Sequence, residues 1–151
     1  MQKYQELQSF EITIDSIQWM DHQKESEESI YRGTGYSRGD KHYIHYTEYM
    51  EGQKVSTLII FSNHQVRIKR SGAVSSEMIF RLGEKTAFVY TIAEGSFEMG
   101  IDTEKLIFDE QETSGSYSLE IYYNLVMYGE TVSHHKICIG IKKCKNQIDV
   151  K

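Results

Sequence analysis

At 151 residues, 39% hydrophobic and 26% charged, the chain is long enough to bury a core and is expected to form a single domain spanning 1–151. A formal net charge of −5 argues against the basic field that non-specific nucleic-acid binding requires, so no nucleic-acid partner is expected. No apolar run is long enough to span a bilayer and "MQKYQELQSFEI" lacks the core of a signal peptide, so the expected location is cytoplasmic, with no membrane partner.

Alternation of apolar and polar residues begins at "SFEITIDSI", where Phe10, Ile12 and Ile14 share a face. The charged residues 20–29 then read as a polar loop. "SIYRGTGYS" and "HYIHYTEYM" follow as strands joined through Gly39-Asp40, and "EGQ" turns the chain into "KVSTLIIFS". Ser62-Asn63 leads to "HQVRIKR", Ser71-Gly72 to "VSSEMIFRL", Gly83-Glu84 to "TAFVYTIA" and Glu94-Gly95 to "SFEMGIDT". "EKLIFDE" reads as a further strand, "QETSGS" as a loop, and "YSLEIYYNLVMY" and "TVSHHKICIGIK" as a last hairpin about Tyr128-Gly129-Glu130. Residues 143–151 read as a frayed tail. Proline is absent, while tyrosine and β-branched residues are plentiful, which suits half-buried strands. The expected fold is all-β: a single closed up-and-down antiparallel β-barrel of eight to ten strands, since closure removes exposed edges.

Register then sorts the basic stretch "VRIKRSGAVSSEMIFR". Side chains alternate across a strand, so Val66, Ile68 and Arg70 share one face while Arg67 and Lys69 take the other. A three-residue loop over 71–73 opposes Val66 to Met78 and Arg67 to Glu77, which puts apolar residues together and pairs opposite charges. Arg67, Lys69 and Arg81 therefore belong outside. Arg70 points inward at the end of its strand, where it holds an anionic group, snorkels to water, or pairs with an acidic side chain at the rim. The same reasoning opposes Phe80 to Phe88, Tyr90 to Met99, and Tyr123 to His135, and gives an apolar interior with a few polar tips: Arg70, Ser76, Tyr90, Tyr123 and His135. Such a set describes either a small-ligand site or a filled barrel core.

Neither histidine pair suits a metal. His42 and His45, and likewise His134 and His135, fall on opposite faces at odd spacing. His42 and His64 lie two strand spacings apart, about 9–10 Å, too far for joint ligation. Cys138 and Cys144 form no C-x-x-C, and the chain carries no nucleophile elbow and no phosphate-cradling glycine loop. No metal, no cofactor and no enzymatic activity are expected.

Arg70-Ser71-Gly72-Ala73-Val74, followed by Met78, Phe80, Gly83, Thr86, Tyr90, Gly95 and Thr103, resembles the YwiB-like family of uncharacterised bacterial proteins. The likeness runs from about Ile30 to Lys142 and includes "LEIYYNLVMYGETVSHHKICI". It implies a calycin-like barrel related in shape to lipocalins, and it implies no activity. Trp19 lacks the Gly-x-Trp setting typical of true lipocalins, which argues against an extracellular carrier. The functional expectation is a non-enzymatic barrel holding a small amphipathic or anionic ligand, with Arg70 on the acidic group and Ser76, Tyr90, Tyr123 and His135 about it. The alternative is an interaction or assembly module with a filled core, such as a homodimer, whose contact surface uses outward tyrosines such as Tyr43, Tyr49, Tyr122 and Tyr128.

Overall fold

The computed structural model describes residues 7–144. Ten strands follow one another: β1 (Gln8–Met20), β2 (Gln23–Arg38), β3 (Lys41–Met50), β4 (Gln53–Phe61), β5 (Gln65–Gly72), β6 (Ser76–Arg81), β7 (Lys85–Ile92), β8 (Gly95–Gln111), β9 (Ser116–Met127) and β10 (Glu130–Lys143). They form one antiparallel sheet in the order β6-β5-β4-β3-β2-β1-β10-β9-β8-β7. Each strand thus lies beside its neighbour in sequence, and β10 returns to lie beside β1. The two outer strands of that order, β6 and β7, meet through one bridge in which Ser75 and Thr91 exchange 2.9 Å N–H to O bonds. The Thr86 hydroxyl adds a 2.6 Å bond to the Ile79 carbonyl. The result is a nearly closed barrel with a seam at β6–β7, so the expected regular pairing of Phe80 with Phe88 does not form. Among the described residues no helix is long and apolar enough to cross a membrane.

Alternation builds the interior. Ile12, Ile44, Ile59, Phe61, Val66, Phe80, Ile101, Leu119, Ile121, Ile139 and Ile141 belong to one core cluster. Burying each such side chain contributes roughly 1.5–3 kcal/mol. β-Branched residues dominate because they suit extended backbone and fill the pleat without losing much rotamer freedom.

Several boundaries differ from those expected. Residues 20–29 are no loop: Asp21 and His22, at φ of 52° and 67°, make a two-residue turn between β1 and β2, and the charged run is strand. Left-handed φ at both turn residues matches strand twist, and solvent on both faces of the hairpin tip tolerates the charges. Nor is the start of the tail frayed, because Lys143 pairs with Phe10 and the Cys144 amide donates to the Ser9 carbonyl at 2.9 Å. Residues 145–151 lie outside the described region. "SFEMGIDT" and "EKLIFDE" belong to the single strand β8, broken in register by a bulge at Glu104.

The β5–β6 pairing is displaced by two residues, with Val66 opposite Phe80 and Arg70 opposite Ser76. Ser71 and Gly72 stay on β4 while Ser75 crosses to β7, which lengthens the corner. A two-residue slip keeps every face, and Arg67 still reaches Glu77 diagonally at 3.1 Å. β7–β8 is displaced by the same amount, so that Tyr90 opposes Phe97. In the last hairpin Tyr123 does oppose His135, although the turn is the two-residue Tyr128-Gly129, with a bulge at Val132 making up the third position.

Candidate functional site

β2 and β3 hold together from Arg38 opposite Lys41 to Gly33 opposite Tyr46, and beyond that point they part. Glycine is required where they touch: a Cβ on Gly33 would collide with the His45 carbonyl oxygen, and one on Gly35 with that of Tyr43. Past Gly33 the inward Tyr31 stacks on Tyr46 with ring centroids 4.5 Å apart. A cavity of about 250 Å³ opens behind this parting.

Its apolar wall includes Ile59, Ile68, Met78, Tyr123, Ile137 and Ile139, and its polar wall includes Ser16, Glu27, Ser29, Glu48, Thr57 and Arg70. Arg70 is the inward guanidinium that parity implied, but it is not free. Its Nη2 lies 3.2 Å from each oxygen of Glu48. Glu48 also accepts 2.8 Å from the Thr57 hydroxyl and 3.3 Å from the Tyr31 phenol. Thr57 stands opposite both Tyr46 and Arg70, so β4 carries the hydroxyl that links the β3 carboxylate to the β5 guanidinium. Burial raises both the Tyr31 and Tyr46 phenols above the ordinary tyrosine range, and the nearby Glu48 charge acts in the same direction. Both rings therefore stay neutral at physiological pH.

Arg70 and Tyr123 share this cavity; Ser76, Tyr90 and His135 are not among its lining residues. Ser76 is buried opposite Arg70. Tyr90 packs against the core from β7. His135 stacks on Tyr123, centroids 4.7 Å apart and rings 7° from parallel, and its Nε2 makes a 2.7 Å hydrogen bond with the Ser133 hydroxyl. Burial, with the neighbouring His134, holds the His135 pKa below its ordinary value, and burial pushes the Tyr123 phenol up to about 12. His42, buried at the opposite end, hydrogen-bonds Ser37 at 2.6 Å and packs between Phe61 and Tyr117. Among the described residues no group of three or more His, Cys, Asp or Glu side chains could hold a metal ion.

Residue alternation read only along the basic stretch left out Glu27, Tyr31, Tyr46, Glu48 and Thr57. The signal for Glu48 was present: in "HYIHYTEYM" it shares parity with His42, Ile44 and Tyr46, all of which are buried. The signal for Glu27 lay in the segment read as a loop.

Fold and interior together define a small antiparallel β-barrel with a cavity that has one polar wall and one apolar wall. The family described as "Domain of unknown function (DUF1934)" matches residues 12–139, and the chain belongs to that family. The uncharacterised β-barrel protein YwiB of Bacillus subtilis (strain 168) is 31% identical over 111 residues, covering 72% of this chain and 77% of that protein. The crystal structure of the ywiB protein from Bacillus subtilis has the same fold, with a TM-score of 0.83 at 23% identity over 93% of this chain and 96% of that one. The resemblance read from the RSGAV run is thus the family found, and the match reaches further toward the N-terminus than those motifs did.

Proposed function

We propose that the protein is a non-enzymatic, cytoplasmic binder of a small amphipathic ligand, which enters where β2 and β3 part. The supporting observation is the Tyr31–Glu48–Thr57–Arg70 network, a fixed polar group in the polar wall of a cavity open to solvent, whose other wall is apolar. A few placed polar groups against apolar walls are the usual make-up of a ligand pocket. At about 250 Å³ the cavity lies just below the common range of about 300–1,000 Å³, which favours a short ligand over a long acyl chain. With Arg70 paired to Glu48, an anionic ligand lacks the free guanidinium that it was expected to use.

Native mass spectrometry of protein purified without detergent tests this reading. The expected spectrum shows a discrete adduct that denaturing extraction removes and that Ser16→Trp, which fills the cavity from its β1 wall, abolishes. Bare protein in both samples would defeat the proposal. A second reading, self-association through the outer wall, is favoured by Tyr128, which is 98% exposed beside an open groove lined by Val89, Gly100 and Val126. Sedimentation that shows mass rising with concentration would move the assignment there.

A further inference from the structure

The charge of the cavity wall selects among ligands, and this step rests on the binding reading above. Three ionic side chains line the cavity: Glu27, Glu48 and Arg70. Arg70 and Glu48 answer one another, leaving the exposed Glu27 as the unbalanced charge. Glu25 stands two residues before Glu27 and adds a second exposed carboxylate on the same face of β2. The remaining polar wall, which is Ser16, Ser29, Tyr31, Tyr46 and Thr57, carries no charge, and neither phenol titrates near neutrality.

The Arg70–Glu48 contact is also not the strong form of such a pair. Both carboxylate oxygens are met by Nη2 alone, at 3.2 Å, and not by the two nitrogens of the planar fork. An anion entering the cavity would have to displace Glu48 from Arg70 while facing Glu27. A cation meets an unneutralised carboxylate, a second carboxylate with a loosely held partner, and the stacked rings of Tyr31 and Tyr46.

We infer that the cavity takes a small organic cation, an alkylammonium or similar amine. Its head sits between Glu27 and Glu48, and its short apolar body lies against Ile59, Ile68, Met78 and Ile139.

Three probes of equal length separate the terms: n-hexylammonium, hexanol and hexanoate, titrated into ¹⁵N-labelled full-length protein and followed by amide shifts. The expected order of affinity is hexylammonium, then hexanol, then hexanoate, with added salt weakening only the amine. Glu27→Gln is expected to weaken the amine about two- to five-fold, the range of a partly exposed ion pair, and to leave hexanol unchanged. Glu27→Gln/Glu48→Gln, which frees Arg70, is expected to reverse the order in favour of hexanoate; should that variant not fold, Glu27→Gln carries the test alone. Equal affinity for hexylammonium and hexanol, or hexanoate binding tightest to the native protein, would overturn the cation while leaving the cavity as a binding site. If no probe shifts the amides of Tyr46, Thr57 and Ile68, the binding reading falls as well, and the cation with it.

Discussion

Arg70 and two inward histidines show how a single side chain takes its character from what faces it. Arg70 points inward because its strand alternates, yet Glu48 and Thr57 decide that it is half of an ion pair. His42 and His135 are likewise set by their surroundings. Burial lowers both pKa values, an effect that the Glu110 and Asp40 carboxylates partly offset at His42. The sign of the pH dependence follows. Below the ordinary histidine value of about 6.5 the unfolded chain takes up protons that the folded chain resists, so stability is flat above that value and declines as pH falls through it. Urea midpoints are therefore expected to be unchanged between pH 8 and 7 and lower at pH 5.5, with His135→Gln reducing the drop. A midpoint constant down to pH 5.5 would contradict this. Parity along one strand made the direction of Arg70, Tyr123 and His135 legible in the sequence. It could not supply Arg70's partner, because Glu48 lies across an intervening strand and the contact depends on the stagger of three strands at once.

Strands were legible wherever one face is wet and the other dry, since that asymmetry is what alternation records. It failed where both faces are wet, at residues 20–29, and where an inserted residue inverts the pattern, at Glu104. Thr103 faces the core before that bulge, and Leu106 and Phe108 face it after; Glu104 is the extra residue, since Thr103 and Lys105 stand opposite the consecutive Tyr123 and Tyr122. Deleting Glu104 thus leaves a regular ladder with Leu106 and Phe108 still inward, and is expected to lower the thermal midpoint only slightly, at a cost of about 1 kcal/mol for the lost hydrogen bond from Asn124. Deleting Glu104 and Lys105 together puts Leu106 next to Thr103 and is expected to turn Leu106 and Phe108 outward, at roughly 1.5–3 kcal/mol each, and to lower the midpoint sharply. Comparable losses from the single and the double deletion, read by calorimetry, would show that the faces of β8 are not set by its register against β9. Turns followed a similar rule. Slips of two residues at β5–β6 and β7–β8 left every face intact, so the sequence carried no signal against them.

For the whole molecule, the count of strands and their neighbour order could be read from short runs and turn residues, whereas the place where the ring is weakest could not. The seam between β6 and β7 depends on which strands meet last, a property of closure and not of any segment. Its position has a consequence for the order of the sequence itself. β1 and β10 run paired from Phe10–Lys143 to Trp19–His134, so the two ends of the described chain are sewn firmly together, while the loosest join lies between strands that are consecutive in sequence. The fold is in effect a ring of strands that happens to be cut at a strong join. A circular permutant that fuses residue 151 to residue 1 and opens the chain at Gly83 keeps every regular ladder. It is expected to unfold in one cooperative transition, less stable by only about 1–2 kcal/mol, in the range of an ordinary point mutation. Loss of cooperativity on that cut would show that the covalent link across the seam, and not the ladders, holds the barrel closed.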